Sequence, residues 1–373
     1  MEKPQGSLIS YMANKVKSEG GINLAQGIPA YAPPKELLSI LKNISTEPIH
    51  QYAPGIGNHQ LLDNLSEIYK LPKQNFLITN GATEAISLLF IYLTEYLKTN
   101  FSVLAFDPAY ETYRHLPRIF DVPFISFKYD INGEIDFNEL EKTIHNHSVK
   151  IIMLSSPGNP YGKIWTESEL LKLKDITEKH GVYLIIDAVY SELYFKSKPF
   201  YPINELSENI FYVNAFSKKL SITGWRIGYL LAHDIHMSKI MDIHDYTGLC
   251  APSILQEAVA QYLKENNNGD EYIQVLRDKL TNNYIQLSKA FSNLGFEVSP
   301  ADGGYFVWAK LPEKYKCGLD FALDLYKKQK VAVVPGIHFS ENAKTYIRIN
   351  IARESDEIFA AINKIQEFLL KDN

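Results

Sequence analysis

Short apolar runs alternate with amphipathic segments through the middle of the chain, from about residue 76 onward. This alternation is typical of a largely parallel sheet whose two faces are covered by helices. The apolar runs predict seven strands, at Asn75–Thr79, Ser102–Phe106, Phe124–Tyr129, Lys150–Leu154, Tyr183–Asp187, Ile210–Ala215 and Ile227–Ala232. The amphipathic segments predict helices at Thr83–Lys98, Phe137–Ile144, Glu167–His180 and Ile254–Lys264. The fold class is therefore predicted to be α/β.

A polar break at Glu265–Asp270 separates two helical patterns, and we interpret it as a domain hinge. Beyond it the pattern predicts a long helix, two strands and a closing helix, at Glu271–Leu294, Gly304–Ala309, Tyr346–Ile351 and Ser355–Leu370. Because single cores stop growing at roughly 250–300 residues, a chain of 373 residues is expected to form two domains. We assign residues 45–265 to a large domain with a mainly parallel seven-stranded sheet. Residues 1–44 and 266–373 are assigned to a smaller α+β domain.

Composition narrows the class of protein. Hydrophobic residues make up 46% of the chain and charged residues 22%, with a net charge of −5, which argues against disorder and nucleic-acid binding. Cys250 and Cys317 are too few for a disulfide framework, which indicates a reducing compartment. Met1–Ser10 lacks signal-peptide features, and no apolar run approaches the roughly 20 residues of a membrane helix. We expect a cytoplasmic protein with a small-molecule partner and no nucleic acid, membrane or metal.

Ligands of open α/β sheets lie beyond the carboxyl ends of the strands, so polar residues that follow strands are candidates for chemistry. A dinucleotide-binding dehydrogenase fits the periodicity, but Gly55-Ile56-Gly57 lacks the third glycine of its fingerprint. The clearest candidate is Lys218, which Arg226 follows eight positions later. A lysine whose pKa is lowered can attack a carbonyl, and an arginine can hold two phosphate oxygens. This pair suits an aldehyde cofactor that carries a phosphate.

The segment Phe216-Ser217-Lys218, followed by Gly224-Trp225-Arg226-Ile227-Gly228-Tyr229, resembles the cofactor-lysine signature of the class I/II aminotransferases. These are fold-type I enzymes that use pyridoxal 5′-phosphate (PLP), and the resemblance extends from about Asn23 to about Arg353. It implies a fold-type I PLP-dependent transferase. It also implies that Lys218, rather than Lys219, forms a Schiff base with the cofactor, because its spacing to Arg226 matches the family.

The loop before the first predicted helix is a second candidate. Asn80-Gly81-Ala82-Thr83 follows a strand, so its backbone N–H groups could hold a phosphate or simply belong to an ordinary helix start. The resemblance favours the first interpretation and implies that Gly81, Ala82, Thr83 and Arg226 bind the PLP phosphate. Many family members carry serine where this chain has Ala215, and the resemblance leaves Ser217 to supply that contact.

Four residues match family positions around the PLP ring. Asp187 ends an apolar run, where a carboxylate is costly without a positive partner, although an N-capping aspartate is the simpler interpretation of this residue in isolation. The resemblance implies that Asp187 keeps the pyridine nitrogen protonated, which makes the ring an electron sink. It also implies that Tyr110 stacks on the ring, although this tyrosine alone could equally pack in a core. Asn159 and Tyr190 are implied to bind the phenolic oxygen, and a cis bond before Pro160 is compatible with the turn.

The resemblance also implies how substrate and a second subunit are engaged. Arg348 matches the arginine that grips the substrate α-carboxylate, with help from Asn159 and from the backbone at Gly27. Tyr52 matches a tyrosine that reaches the phosphate of a partner subunit. We therefore expect a homodimer with shared active sites.

Together these residues predict an amino-acid aminotransferase, in which an L-amino acid gives its amino group to PLP and a 2-oxo acid then receives it. Lys218, Asp187 and Tyr110 are the predicted catalytic residues. A carbon–sulfur β-lyase on the same scaffold is the alternative, since the shared motifs do not separate the two. A sensing domain of a transcription regulator is disfavoured, because the chain shows no helix-turn-helix pattern. The residues that contact the substrate side chain stay open, and the candidates are Tyr11, Tyr31, Trp165 and Tyr246–Pro252.

Overall fold

A computed structural model describes residues 6–98, 100–129, 134–204 and 206–371. The first five residues of the segment Met1–Ser10, in which we expect no signal peptide, lie outside these ranges. The helices are α1 Leu8–Glu19, α2 Lys35–Ile44, α3 His59–Tyr69, α4 Ala82–Leu97, α5 Glu111–Ile119, α6 Phe137–Asn146, α7 Glu167–His180, α8 Phe216–Lys219, α9 Asp234–Thr247, α10 Ser253–Glu265, α11 Asp270–Asn293, α12 Gly318–Gln329 and α13 Ser355–Lys371. In the described part of the chain, no helix combines the length and apolar character needed to cross a membrane.

The strands form three sheets. They are β1 Ile22–Asn23, β2 Phe76–Thr79, β3 Ser102–Asp107, β4 Phe124–Lys128, β5 Val149–Ser155, β6 Tyr183–Asp187, β7 Ile210–Ala215, β8 Gly228–Leu231, β9 Glu297–Val298, β10 Phe306–Lys310, β11 Val331–Ala332, β12 Val334–Pro335 and β13 Tyr346–Asn350. Short 3₁₀ turns are found at Lys73–Asn75, Asn267–Gly269 and Gly336–His338.

The central sheet has seven strands in the order β2-β8-β7-β6-β5-β3-β4. The pairings from β7 across to β4 are parallel, whereas β8 runs antiparallel to both β2 and β7. The predicted α/β class with a mainly parallel seven-stranded sheet is confirmed. Each of the seven predicted strands is present, with ends that agree within one residue.

Both faces of this sheet are covered, and that explains its continuous apolar runs. On β6, Leu184 and Ile186 pack into one hydrophobic cluster while Ile185, between them, packs into another on the opposite face. The same alternation on β3 sends Leu104 to one cluster and Val103 to the other. Burial of each such side chain contributes about 1.5–3 kcal/mol. Charged groups are therefore expected only at the strand ends, where the chain leaves the core.

A second core lies around the antiparallel sheet β12-β13-β10-β9. It includes Met12 and Leu24 from the start of the chain together with Val331 and Ile347 from its end. Strand β1 pairs in parallel with β11, which ties these distant segments together. The division of the chain into domains at residues 45 and 265 stays a prediction, as does the hinge at Glu265–Asp270.

Candidate active site

A cavity of about 280 Å³ lies at the carboxyl ends of the central strands, beside β10 and β13. The volume is near the lower end of the range for small-molecule sites. Most of the predicted site residues line it, and they are Gly27, Ala82, Thr83, Tyr110, Asn159, Asp187, Tyr190, Ser217, Lys218, Arg226 and Arg348. Residues separated by more than 300 positions therefore meet at one place.

Lys218 lies on α8, a single helical turn directly after β7. Its Nζ donates a hydrogen bond to the Gly27 carbonyl at 2.6 Å, and the Tyr305 hydroxyl donates to the Lys218 carbonyl at 2.7 Å. Desolvation, with Arg348 adding to it and Asp187 opposing it, lowers the pKa of Lys218 to about 8. The neutral amine is therefore accessible near physiological pH. The ammonium of Lys219 instead lies over the Phe216 ring at 4.9 Å, away from the cavity lining.

Asp187 ends β6 and is only 6% exposed. The hydroxyl of Tyr113 donates to its Oδ2 at 2.8 Å, and the N–H of Val189 donates to its Oδ1 at 3.2 Å. Burial raises the pKa of Asp187 even though these two hydrogen bonds oppose the shift. Two neutral donors do not fully offset the loss of solvation, so this carboxylate would gain from a cationic partner in the cavity. Tyr113, three positions after Tyr110, was not predicted from the sequence.

Two tyrosines flank this carboxylate. Tyr110 precedes the first residue of α5, and its ring is perpendicular to that of Tyr113 with centroids 5.7 Å apart. Tyr190 packs edge-on against Tyr305 and Phe306. Burial raises the pKa of both Tyr110 and Tyr190, so both phenols stay protonated at neutral pH. They can therefore donate hydrogen bonds to a ligand.

Arg226, which lines the cavity, meets Gly81 at the start of α4, although Gly81 itself is not among the lining residues. The φ angle of Gly81 is +85°, which favours glycine, and a Cβ atom there would displace the Arg226 guanidinium from its present position. The guanidinium donates to the carbonyls of Thr223 at 3.0 Å and Asn80 at 3.3 Å. Gly81 precedes α4, a helix of 16 residues whose N-terminal dipole favours an anion. The region between Arg226 and the start of α4 therefore suits a phosphate.

Arg348 lies on β13 and is 1% exposed. Its Nη1 donates to Asn159 Oδ1 at 2.8 Å and its Nη2 donates to the Ala25 carbonyl at 2.5 Å, while its Nε has no partner in the described part of the chain. Burial lowers the pKa of Arg348 to about 10. The guanidinium carbon is 4.0 Å from the centroid of the Phe306 ring. A buried cation with an unused donor is suited to a carboxylate ligand.

Gly27, Tyr52 and the candidates for the side-chain pocket differ in their position relative to the cavity. Gly27 lines it, and a Cβ added at Gly27 would lie 2.8 Å from Phe306 Cζ, so the Phe306 ring would have to shift. Tyr52 does not line the cavity and is 83% exposed. The candidates for the side-chain pocket, namely Tyr11, Tyr31, Trp165 and Tyr246–Pro252, do not line it either. Ile9, Ile28 and Glu111 line the cavity, and none of the three was predicted from the sequence. The bonds before Pro108, Pro157 and Pro160 are cis.

Comparison with known proteins gives consistent matches along the chain. Residues 19–365 match the family described as aminotransferase class I and II. A probable aspartate aminotransferase of Methanocaldococcus jannaschii is 28% identical over 363 residues, which cover 93% of this chain and 92% of that protein. A probable kynurenine–oxoglutarate transaminase of Saccharomyces cerevisiae is also 28% identical, over 96% of this chain and 89% of its own. These relatives match along almost their entire length.

Solved structures match the fold equally well. An aspartate aminotransferase of Thermus thermophilus, determined with maleate, superposes with a TM-score of 0.90 at 20% identity and covers 98% of this chain and 97% of its own. The N-succinyldiaminopimelate aminotransferase of Mycobacterium tuberculosis gives 0.90 at 23% identity, with the same two coverages. At such identities the similarity concerns the fold alone.

Proposed function

The chain belongs to the class I and II aminotransferases, and we propose that it moves an amino group from an L-amino acid to a 2-oxo acid with PLP as its cofactor. One observation carries the proposal. A lysine with a lowered pKa, a buried carboxylate and a buried arginine face the same cavity, and they are Lys218, Asp187 and Arg348. The lysine amine can react with an aldehyde, the carboxylate of Asp187 can pair with a cationic ring, and the guanidinium of Arg348 can bind a carboxylate.

The residues present fit both the ring and the phosphate of PLP. Burial raises the pKa of Asp187 although the Tyr113 and Val189 hydrogen bonds and the charge of Lys218 oppose the shift, and the pyridinium nitrogen would provide a further cationic partner. The absence of a side chain at Gly81 lets the Arg226 guanidinium approach the start of α4, where a phosphate would bind. When bound, PLP supplies an aldehyde that reacts with amines and a ring that withdraws electrons from the substrate Cα. Its contacts are proposed to come from Gly81, Ala82, Thr83, Tyr110, Asn159, Asp187, Tyr190, Ser217, Lys218 and Arg226.

We assign the proton transfer to Lys218. Its Nζ would take the proton from the substrate Cα, and a pKa of about 8 keeps a useful fraction of the amine neutral at physiological pH. Arg348 and Asn159, which already contact each other at 2.8 Å, would hold the substrate carboxylate and so orient the Cα–H bond toward that nitrogen. Tyr110 would cover the cofactor ring and exclude water from it.

Incubation of the holoenzyme with an amino acid, in the absence of any 2-oxo acid, tests this function against the carbon–sulfur β-lyase alternative. We expect one equivalent of 2-oxo acid per active site and a matching loss of the visible absorbance of the lysine-bound cofactor. The reaction should then stop, because the amino group stays on the cofactor until an acceptor arrives. Continuous release of pyruvate and ammonia from cysteine or a related donor would contradict amino transfer.

We further propose a homodimer, in which Tyr52 contacts the phosphate site of the partner. Tyr52 and Tyr246 are 83% and 93% exposed, and Leu249, two residues after the end of α9, is 44% exposed. A Cβ at Gly55 would lie 2.9 Å from Asp245 Oδ1, so the loop that carries Tyr52 packs beside the end of α9. Adjacent exposed apolar side chains of this kind are typical of an interface.

The mass in solution tests the dimer. Sedimentation equilibrium should give twice the 42.6 kDa of the chain at micromolar concentration. Tyr52→Ala should weaken cofactor binding in addition to any effect on association, since the residue would contact the phosphate. A monomer that retains full activity would exclude shared active sites.

A further inference from the structure

Five charged side chains are among the described residues that line the cavity, and the proposed function gives a role to all but one of them. The proposed function uses four of them, and these are Asp187, Lys218, Arg226 and Arg348. The fifth is Glu111, the first residue of α5, to which neither the cofactor nor the substrate carboxylate gives a task. A carboxylate that lines a ligand cavity without a cofactor to bind is available to act on the substrate.

The immediate partners of Glu111 hold it in its charged form. Its Oε2 lies 2.7 Å from His338 Nε2, and the hydroxyl of Ser7 donates to its Oε1 at 3.3 Å. Burial opposes the charge, but the contact with His338 and the hydrogen bond from Ser7 outweigh it, and the pKa of Glu111 is lowered. Neither His338 nor Ser7 lines the cavity that Glu111 lines, so the negative group is the one that a ligand meets.

The other lining side chains without a proposed task carry no charge. Gln26, Ser155 and Thr223 are polar, whereas several others are apolar. Ile9 comes from α1, Ile28 from the segment after β1, and Phe306 from β10. Ile28 is 41% exposed, so it lies where the cavity opens to solvent. Among the described lining residues, every cation is already engaged at the phosphate, the aldehyde or the α-carboxylate. A second carboxylate on the substrate would therefore find no free cation among these residues and would meet a like charge at Glu111.

We propose, building on the proposed function, that the cavity accepts amino acids whose side chains carry no carboxylate, and that Glu111 is the residue that excludes one. For an apolar, neutral or cationic side chain, binding next to these residues and the Glu111 carboxylate costs little free energy. An acidic side chain loses its hydration and gains only repulsion, because like charges at close distance are strongly unfavourable.

Two isosteric pairs of donors measure this selectivity directly. Glutamine and glutamate have the same shape and differ in one charge, as do asparagine and aspartate. We expect kcat/KM of the first half-reaction, followed by cofactor absorbance without a 2-oxo acid, to be at least about tenfold higher for the amide of each pair. Equal values, or a preference for the acid, would overturn the proposal.

Glu111→Gln removes the charge with little change in shape, so the ratio within each pair should fall to about twofold or less. Glu95→Gln is the matched control. Glu95 lies on α4 outside the cavity and pairs with Lys239 at 3.7 Å, so its replacement should leave the ratio unchanged. A ratio that survives in Glu111→Gln would remove Glu111 from this role. Calorimetric titration with the same pairs measures the selectivity without turnover. Discrimination in binding by a protein that transfers no amino group would refute the proposed function and leave the assignment of Glu111 intact.

Discussion

Lys218→Ala is expected to lower kcat for amino transfer by roughly 10⁴-fold, about the full contribution of a positioned general base. The loss has two physical causes. The Nζ that takes the proton from the substrate Cα is removed, and the amine that holds the cofactor aldehyde goes with it. Steady-state kinetics measure the first effect, and the visible absorbance of the lysine-bound cofactor, which should disappear, measures the second.

The neighbouring lysine provides a matched control for this experiment. Lys219 has nearly the same sequence position, but its ammonium lies over the Phe216 ring and does not line the cavity. Lys219→Ala should therefore keep the cofactor absorbance and most of the activity. Circular dichroism verifies that both variants are folded. If Lys218→Ala retained the absorbance and Lys219→Ala lost it, the assignment of the cofactor lysine would be wrong.

Asp187→Asn is expected to lower kcat by roughly 10³-fold, the scale observed when one preorganised electrostatic group is removed. Asparagine keeps the shape of the side chain and can still accept from the Tyr113 hydroxyl, but it carries no charge. The amide cannot stabilise a protonated pyridine nitrogen, so the ring withdraws fewer electrons from the substrate Cα. Single-turnover kinetics should show a slower proton transfer and a near-normal binding of the amino donor.

Tyr113→Phe separates the charge of Asp187 from its hydrogen bond. The Tyr113 hydroxyl lowers the pKa of Asp187, so its loss should raise that pKa further without removing the carboxylate. We expect a decrease in kcat of about tenfold, within the range of one hydrogen bond to a charged group. A Tyr113→Phe variant as impaired as Asp187→Asn, or an Asp187→Asn variant with nearly normal kcat, would contradict a charge-based role for Asp187.

The central sheet was predictable because its strands are buried on both faces. A strand such as β6 then becomes an unbroken apolar run that ends in a charged residue, Asp187, and the two ends of the run mark the two ends of the strand. The predicted helices α7 and α10 follow from long amphipathic patterns. In α7, Thr166 and Glu169 also form a capping box, which fixes the first turn.

Other elements depend on packing that a local pattern does not reveal. Helix α2 has ten residues, too few for stability in isolation, and packs against α10 more than 200 positions later. Helix α5 contains Pro117, which argues against a helix on local grounds. Strands β1 and β11 have two residues each and exist only because Ile22 pairs with Val331. No window of sequence around any of these segments contains its partner.

The same limit applies to the candidate site. The resemblance located residues that directly follow strands, and the cavity brings most of them together. It gave no indication of Tyr113 or Glu111, because their roles depend on groups 74 positions away at Asp187 and more than 200 positions away at His338. The phase of α5 decides which of its side chains point to the cavity, and that phase became known only with the structure.

The hydrogen bonds around the cavity also join the C-terminal sheet to the central one. Tyr305 donates to the carbonyl of Lys218, and Arg348 on β13 donates to Asn159, which follows β5. Separation of the two sheets would break both hydrogen bonds and displace Lys218 and Arg348, so we expect it to inactivate the protein. A ligand that binds only the folded protein at 1,000 times its Kd adds about 4 kcal/mol to the free energy of unfolding. Ligand binding in this cavity is therefore also expected to raise the melting temperature of the whole protein.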